Sequence, residues 1–336
     1  MKIRQILVTG GAGYVGAVLV PKLLKKGYFV KVLDWFIFGN QVFAAHKNHP
    51  RLIQIKGDIR DKNLLKKSLN NTGAVIHLAC ISNDPSYELD PNLGKSVNYA
   101  GTIQLIDLAK ESGVKRFIYA SSSSVYGIKS EAEVTEDLPL TPLTDYSKYK
   151  ALCEEYLLSK QSPDFTVLIL RPATVCGYSP RLRLDLTVNI LTINALHQQK
   201  IRVYGGQQKR PNIHIADMTD LYVNSLQYPA RKIAGKIYNV GYENYTVLEL
   251  AQLVKKTLGQ PHIQIEILPS ADLRSYHISS QKINGELGFT PKHALTEAIR
   301  DLQKKYYSGE ITHPLTNIYY YNMKTMQKWG HLFTYA

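Results

Sequence analysis

Short apolar runs alternate with amphipathic segments along the first half of the chain. Short, mainly apolar runs predict β-strands at residues 3–9, 29–34, 52–56, 74–78, 116–120 and 166–170. Segments whose apolar positions recur at the helical period predict α-helices at residues 14–26, 61–69, 95–112 and 146–160. Strands that are apolar on both faces and alternate with helices are typical of a parallel sheet covered on both sides. The pattern therefore predicts an α/β fold with a doubly wound parallel sheet.

Beyond about residue 171 the alternation becomes less regular. Helices are predicted at residues 184–198, 217–227, 246–258 and 294–306, and extended segments at residues 201–204 and 263–268. We expect a first domain at residues 1–170 and a smaller α/β lobe at residues 171–311, partly interleaved with the first. A tyrosine-rich extension follows at residues 312–336.

The composition excludes several classes of protein. The chain has 336 residues, of which 44% are hydrophobic and 20% charged, so it can bury a substantial core and is not disordered. No apolar run approaches the ~20 residues of a membrane span. The three cysteines, Cys80, Cys153 and Cys176, are too few and too scattered for a disulfide framework or a metal site. They suit a reducing compartment, and we expect a cytoplasmic protein without a bound metal.

The chain is strongly basic, with a formal net charge of +14. Such a balance favours anionic partners, which include nucleic acid, anionic lipid and phosphorylated metabolites. The charges are scattered at helical spacing, as in Lys22, Lys25 and Lys26, and no aromatic–basic interleaving accompanies them. We therefore expect no nucleic-acid or membrane partner, and interpret the charge as solvated helix faces and a field that attracts small anions.

A glycine-rich turn joins the first predicted strand to the first predicted helix. Gly10, Gly13 and Gly16 form a G-x-x-G-x-x-G pattern that includes Tyr14 and Val15. Glycine allows a tight turn and a close approach of the backbone to a pyrophosphate, while the helix N-terminus supplies free N–H groups. In its strand–turn–helix context the pattern is a variant of the dinucleotide fingerprint of Rossmann-like folds.

An acidic residue, Asp34, ends the second predicted strand. A carboxylate at this point accepts hydrogen bonds from the adenosine ribose hydroxyls. No Arg or Lys follows until Lys47, so a 2′-phosphate would meet a carboxylate without a cation, and the sequence favours NAD over NADP. Asp58, which precedes Ile59 after the third predicted strand, either faces the adenine or caps the next helix.

Tyr146 and Lys150 stand four residues apart on a predicted helix, and therefore on one face of it. Tyrosine titrates near ~10, but a lysine ammonium together with an oxidised nicotinamide ring favours the phenolate. The phenolate can then act as general base for a sugar hydroxyl while a hydride leaves the same carbon. The serine-rich segment 121–124 follows the fifth predicted strand, where ligands bind in open α/β sheets, and a hydroxyl there can share the proton.

Taken together, these motifs resemble those of the extended short-chain dehydrogenases/reductases, and among them the NAD-dependent sugar-nucleotide epimerase/dehydratase family. The resemblance covers roughly residues 3–305. Besides the glycine loop and Asp34 it rests on Gly57-Asp58-Ile59, His77-Leu78-Ala79, Asn98 with Gly101-Thr102, Val125-Tyr126-Gly127, Tyr146 with Lys150, and Arg171-Pro172. It implies that Ser122 is the catalytic serine, that Lys150 also holds the nicotinamide ribose, and that the protein is a homodimer. The further cofactor contacts that it implies are Tyr14, Val15, Ile59, Leu78, Ala79, Asn98 and Pro172.

The serine segment discriminates between the activities of this family. The family's 4,6-dehydratases carry an Asp-Glu pair directly after the catalytic Thr, where this chain has Ser123 and Ser124, which offer no acid or base near neutral pH. The 3,5-epimerases of GDP-mannose carry a Cys base at the position of Ser124. We therefore expect C4 epimerisation of a nucleotide-diphosphate sugar through a transient 4-keto intermediate, with Tyr146 as base and Ser123 in contact with the substrate.

Two groups of alternatives stay open. A nucleotide-sugar 4-dehydrogenase or 4-keto-reductase would carry the same residues, and a dehydratase belongs to the same family. A non-catalytic NAD(H)-binding scaffold is the alternative from another class, and the intact set of Ser122, Tyr146 and Lys150 argues against it.

Substrate contacts are also implied in and near the second half. Arg210 resembles the family's diphosphate-binding arginine, because a guanidinium binds phosphate bidentately, and Arg274 resembles a second one. Asn189 is expected to contact the diphosphate or base, and Ser82 the sugar. Each of these residues has a structural alternative as a surface ion pair, a cap or loop scaffolding. The resemblance does not extend to residues 312–336, for which we predict no role.

Overall fold

The molecule is built from short strands and helices that follow the apolar pattern. In the computed structural model, residues 3–39, 41–270, 275 and 277–333 are described. The strands are β1 (Gln5–Thr9), β2 (Phe29–Asp34), β3 (Leu52–Lys56), β4 (Ala74–His77), β5 (Arg116–Ala120), β6 (Thr166–Pro172), β7 (Thr174–Cys176), β8 (Lys200–Tyr204), β9 (Lys209–His214), β10 (Lys236–Val240), β11 (Glu243–Thr246) and β12 (Gln264–Leu268). The α-helices are α1 (Gly16–Lys25), α2 (Lys62–Leu69), α3 (Asp84–Glu88), α4 (Pro91–Lys95), α5 (Thr102–Glu111), α6 (Asp145–Ser159), α7 (Thr187–Gln198), α8 (Ile215–Ser225), α9 (Ala230–Ile233), α10 (Val247–Leu258), α11 (Gln281–Leu287), α12 (Leu295–Tyr307) and α13 (Asn322–Trp329).

The central sheet is parallel and buried on both faces. Within the described residues it has seven strands, in the order β10-β6-β5-β4-β1-β2-β3. Successive residues of a strand point to opposite faces, so Ile6 and Val8 belong to one core cluster and Leu7 to the other. This arrangement confirms the predicted doubly wound α/β fold. The strand order reverses between β1 and β4, which is where such sheets bind ligands.

One edge strand of this sheet comes from the second half of the chain. β10 pairs in parallel with β6, with Lys236 opposite Leu168 and Val240 opposite Pro172. The sequence pattern predicts no strand at Lys236–Val240, because this short segment mixes apolar and polar residues. The chain therefore leaves the sheet after β6, builds part of the second lobe, and returns to complete the sheet.

The second lobe has a core of its own. Helices α7, α10 and α12 pack around apolar side chains that include Val188, Leu250 and Leu295. Two small sheets, β11-β9-β7 and β12-β8, complete this part of the molecule. The predicted helices are present here, with ends that differ by a few residues from the sequence pattern.

The helix predicted at residues 95–112 is interrupted by a π-helical turn. Ser96–Gly101 adopts this turn between α4 and α5. It brings the Asn98 side chain to the backbone of Ile81, where Nδ2 donates to the carbonyl (3.0 Å) and Oδ1 accepts the N–H (2.8 Å). A π-turn inserts a residue without changing the apolar pattern much, so helical periodicity does not reveal it.

The chain continues past α12 and returns to the central sheet. A 3₁₀ turn at Ile318–Tyr320, helix α13 and a 3₁₀ turn at Gly330–Phe333 make up this C-terminal segment, which we define as residues 313–333. Met326 of α13 joins the core cluster on one face of the sheet. Among the helices in the described part of the chain, none is long and apolar enough to cross a bilayer.

Candidate active site

A cleft opens where strands β1, β2, β4 and β5 end, and it brings most of the predicted site residues together. The predicted residues that line it are Gly10, Gly13, Tyr14, Val15, Gly16, Asp34, Ile59, Leu78, Ala79, Ser82, Ser122, Ser123, Tyr146 and Pro172. These residues come from segments that lie far apart in the sequence, between Gly10 and Pro172. Their convergence on one cleft follows from the parallel sheet, because the carboxyl ends of its strands meet at one edge.

The glycine turn has no room for side chains at two of its positions. Gly10 has a φ of +70°, and a Cβ added there would lie 2.5 Å from the Ala79 nitrogen. A Cβ on Gly16 would lie 2.3 Å from the Gly11 carbonyl oxygen. Glycine at these two positions therefore lets the turn pack closely against the backbone of Ala79 and of Gly11, as the tight turn before a dinucleotide-binding helix requires. The turn fits a dinucleotide.

Asp34 is oriented by the backbone before any ligand binds. Its Oδ2 accepts the Ala12 N–H (2.9 Å) and its Oδ1 accepts the Phe36 N–H (2.8 Å). Burial raises the pKa of Asp34, and these backbone N–H groups together with the charge of Arg181 counteract the rise. Each carboxylate oxygen keeps a second lone pair, so the group can still accept hydrogen bonds from ribose hydroxyls.

Tyr146 lies in the first turn of α6, and Thr144 fixes the start of that helix. Thr144 and Ser147 form a capping box, which satisfies the first free N–H groups of α6. Burial raises the pKa of Tyr146 well above its usual value, and Cys80 contributes to the rise. The charge of Arg183 and a hydrogen bond with Ser122 act in the opposite direction. The phenol is therefore protonated in this form of the protein.

Lys150 lies behind the phenol rather than on the surface of the cleft. Its Nζ donates to the Ala120 carbonyl oxygen (2.7 Å) and lies 6.0 Å from the centre of the Tyr146 ring. It also lies over the Tyr119 ring, at 4.8 Å. Because the side chain is buried, its charge acts on the phenol through protein rather than through water.

A buried network that the sequence analysis did not predict supports the serine segment. Glu154 and Arg171 form an ion pair at 2.6 Å with both side chains almost fully buried. Ser121 donates its hydroxyl to Glu154, and Arg171 donates to the Tyr126 hydroxyl (2.7 Å). Tyr126 in turn donates to Asn239 of β10 (2.8 Å). The network joins α6, β6 and β10 beneath the segment that carries Ser122.

Two predicted cofactor contacts, Asp58 and Asn98, do not line the cleft. Asp58 pairs with Arg60 at 2.7 Å, and helix α2 is capped by Asp61 instead, so the capping alternative for Asp58 is wrong. Asn98 is buried against the backbone of Ile81, one step away from the cleft surface. Both remain adjacent to lining residues, since Ile59 and Ile81 lie on the cleft surface.

The predicted substrate contacts of the second half lie elsewhere. Asn189 accepts the Gly177 N–H (2.9 Å) and donates to the Tyr14 hydroxyl (3.1 Å), so it holds the loop behind the glycine turn. Arg210 lies on β9 and donates to the Lys209 carbonyl oxygen (3.0 Å), and it is not among the lining residues. Arg274 lies outside the described residues.

Two arginines, one of them buried, place positive charge on the surface of the cleft. Arg181 and Arg183 both line it, and Arg183 pairs with Asp185 at 2.9 Å. Burial lowers the pKa of Arg181 to about 9, and the neighbouring Arg183 adds to this effect, but Arg181 is still cationic at neutral pH. The spacing of the two arginines, in Arg181-Leu182-Arg183, is visible in the sequence, whereas their place on the cleft surface is not. No cluster of His, Cys, Asp and Glu suited to a metal ion occurs in the part of the chain that the structure describes.

The C-terminal segment also contributes to the cleft. Asn322 and Met326 of α13 line it, together with Trp35 and Phe38 from the loop after β2. Sequence motifs gave no signal for these four residues, because they reach the cleft only through tertiary packing.

Known proteins resemble this chain along most of its length. The model of the NAD dependent epimerase/dehydratase family matches residues 6–241. The UDP-glucose 4-epimerase of Corynebacterium glutamicum is 30% identical over 311 residues, which cover 86% of this chain and 91% of that protein.

Two solved structures share the fold. The crystal structure of a dTDP-glucose 4,6-dehydratase from Streptomyces venezuelae, with NAD and TYD bound, has a TM-score of 0.83 at 27% identity and covers 93% of this chain and 100% of that one. The UDP-glucuronic acid 4-epimerase from Bacillus cereus, in complex with UDP-glucuronic acid and NAD, has a TM-score of 0.80 at 27% identity and covers 90% and 100%. With its glycine turn and Asp34 at the ends of β1 and β2, the chain belongs to the NAD-dependent epimerase/dehydratase family.

Proposed function

We propose that the protein catalyses NAD-dependent epimerisation at C4 of a nucleotide-diphosphate sugar, with Tyr146 as the base. The proposal rests on the side chains that lie beside Tyr146 in the cleft. Ser122, Ser123 and Ser124 supply hydroxyl groups only, and the Ser122 and Ser124 hydroxyls bond to each other at 2.9 Å. A site of this kind has no carboxylate in this segment to move a proton at C5, so it supports chemistry at C4.

Tyr146, as the phenolate, would take the proton of the sugar 4-hydroxyl as the C4–H bond breaks. NAD, when bound, supplies the acceptor for the hydride that leaves C4. Ser122 shares the proton through its hydrogen bond with the phenol, and the charges of Lys150 and Arg183 favour the phenolate. Tyr146 then returns the proton to O4 when the hydride returns to the opposite face of C4, so the enzyme ends each cycle unchanged.

Charge complementarity supports a diphosphate-bearing substrate. Arg181 is a buried cation and Arg183 a partly buried one on the cleft surface, and a guanidinium binds phosphate oxygens in pairs. Arg210 and Arg274 stay proposals for the outer part of the same ligand. The two 4-epimerases named above are epimerases of UDP-glucose and UDP-glucuronic acid, which makes UDP-glucose the first substrate to test.

A one-way 4-dehydrogenase or 4-keto-reductase is the second candidate, because the same residues would serve it. We further propose a cytoplasmic homodimer, as the family resemblance implies. Helix α6, which carries Tyr146, leaves Leu152 partly exposed, and Leu143 just before it is exposed as well. Light scattering on the purified protein tests this assembly, and a monomeric mass at all concentrations would contradict it.

The test of the reaction is proton NMR in D₂O on the purified protein with a panel of nucleotide sugars and no added NAD. A 4-epimerase converts the sugar without incorporating deuterium, because the hydride returns internally. Deuterium at C5 with a lasting keto product would instead indicate a dehydratase. Turnover only with added NAD or NADH would indicate a one-way oxidoreductase.

The role of Tyr146 has a matched control on the same helix. Tyr146→Phe removes the proton acceptor and is expected to lower kcat by about 10²- to 10⁴-fold. Tyr149→Phe removes the hydroxyl of a tyrosine that stacks on Tyr87 and does not line the cleft, and it should leave kcat unchanged. Equal activity in both variants would refute Tyr146 as the base.

A further inference from the structure

Asn322 connects the C-terminal segment to the sugar side of the cleft. It is the first residue of α13 and lies beyond the part of the chain that the family model matches. Only 4% of its surface is exposed, and it lines the cleft. Its hydrogen-bond partners explain why a polar side chain is buried at this position.

The side-chain amide, the side-chain oxygen and the backbone N–H of Asn322 all form hydrogen bonds at the cleft. The side-chain amide donates to the Ser82 hydroxyl (2.7 Å), and the side-chain oxygen accepts a hydrogen bond from Arg181. The backbone N–H donates to Oδ2 of Asp185 (3.1 Å). Asn322 therefore joins the loop after β4 to the loop that carries Arg181 and Arg183.

The contact matters most for Arg181. Within the described residues, Asn322 is the only hydrogen-bond partner of its guanidinium group, and its Nε is buried with no partner. The guanidinium also lies 3.6 Å from the centre of the Phe38 ring. A buried cation without a carboxylate on it depends strongly on the few contacts it makes, so Asn322 sets its direction.

The backbone contact extends the same control to Arg183. Asp185, which accepts the Asn322 N–H, pairs with Arg183 at 2.9 Å and accepts from Asn83 at 3.1 Å. Arg183 is the cation whose charge lowers the pKa of Tyr146. The docking of Asn322 therefore orients groups on two loops of the cleft, the one after β4 and the one that carries Arg181 and Arg183.

The segment that carries Asn322 is held at its other end as well. The Phe333 ring stacks on Trp35 at 4.1 Å with an interplanar angle of 11°, and the Phe333 carbonyl oxygen accepts a hydrogen bond from Arg60. Met326 is buried between these two ends. The C-terminal segment is thus a fixed part of the structure, and Asn322 can orient other groups.

We propose that Asn322 is a positioning residue for the substrate: it holds Arg181 and Ser82 in the directions in which they bind the anionic and hydroxyl groups of a nucleotide-diphosphate sugar. This inference rests on the function proposed above. An apolar side chain at this position would leave the Arg181 guanidinium and the Ser82 hydroxyl without this partner, so the buried amide serves the groups that it orients. The structure thereby gives a role to a stretch that lies outside the family resemblance.

Three variants separate positioning from docking. Asn322→Leu keeps the volume and removes all side-chain hydrogen bonds. Asn322→Asp keeps an acceptor for Arg181 and for the Ser82 hydroxyl. Gln327→Ala alters an exposed side chain on the same helix and serves as the matched control.

Steady-state kinetics with UDP-glucose, and calorimetric binding of UDP, GDP, dTDP and CDP to the NAD-loaded protein, are measured together with Tm. Asn322→Leu is expected to raise KM about tenfold, with kcat within twofold of the wild type. Asn322→Asp should recover most of the affinity, and Gln327→Ala should match the wild type.

An Asn322→Leu variant with a lower Tm but unchanged KM and unchanged diphosphate affinity would overturn the proposal, and so would an equal loss in Asn322→Asp. These outcomes differ from failure of the proposed function. In that case the wild-type protein would bind none of the four diphosphates, or would bind them without turning over any sugar.

Discussion

The buried ion pair beneath the serine segment gives the sharpest test of how this site is supported. In Glu154→Gln the side chain keeps its shape, but an amide nitrogen replaces one oxygen that faces Arg171. The guanidinium then keeps its charge in a place where it is only 4% exposed. Its Nε and Nη2 at present reach Glu154 at 2.6 to 3.1 Å, and Ser121 also loses its carboxylate acceptor.

The cost follows from leaving a buried charge without its partner. Removing one member of a buried pair typically costs 3–5 kcal/mol. We expect about 3 kcal/mol, because Gln keeps one carbonyl oxygen and the Tyr126 hydroxyl still accepts from Arg171. With an unfolding entropy of about 2.1 cal/mol/K per residue, a chain of this length loses about 4 °C of Tm.

Equilibrium unfolding in urea, with calorimetry to obtain Tm, measures this cost on the NAD-free protein. Glu310→Gln is the control, because Glu310 pairs with Lys305 at a similar 2.7 Å but at the exposed surface, and we expect its Tm to match the wild type. The double change Glu154→Leu with Arg171→Met removes both charges and should recover part of the loss. If Glu154→Gln unfolds within about 1 kcal/mol of the wild type at the same m-value, the reasoning is wrong.

Three further predictions concern the cofactor side and the core. Gly10→Ala places a Cβ 2.5 Å from the Ala79 nitrogen at a φ of +70° and should weaken NAD binding more than tenfold by calorimetry, whereas Gly285→Ala, with open space around it, should not; equal affinities would contradict this. Asp34→Ala should narrow the gap between NAD and NADP affinity, since no carboxylate then repels a 2′-phosphate, and an unchanged ratio counts against it. Burial lowers the pKa of His77 to about 3 from 6.5, so the unfolded chain takes up a proton that the folded one does not as pH falls through this window. Unfolding free energy should therefore drop by up to about 1.4 kcal/mol per pH unit below 6.5, and His77→Gln should flatten that slope; the same slope in both proteins would refute this assignment.

The parts of the fold that the sequence predicted are those with a strong local signal. β1, β2 and β5 are mainly apolar runs, and α1 begins at a glycine turn. A short stretch of sequence is therefore enough to predict each of these elements. β10 is different, because its strand conformation depends on β6, which lies far away in the sequence. The π-turn before α5 depends on the contact between Asn98 and Ile81, which no window contains.

The residues of the candidate site also fall into two groups, those with a local sequence signal and those that depend on distant contacts. Gly10, Asp34 and Tyr146 stand at fixed points of local motifs, and the fold brings them to one cleft. Asn322 and Glu154 act through partners on distant segments, so only the folded chain reveals them. Their residue types carry no information by themselves, since a lone Asn or a Glu on a helix face is ordinarily a surface residue.

The late return of the chain to its central sheet has a consequence for synthesis in the cell. At ~5–20 residues per second, the ribosome reaches Val240 several seconds after Pro172. During that interval the outer edge of β6 has no neighbour, although the five strands on its other side in the sheet order are already complete. An unpaired strand edge is a template for pairing with other chains. Nascent molecules on one messenger are therefore exposed to mutual strand pairing until β10 covers that edge, and a chaperone that binds early would act on this segment.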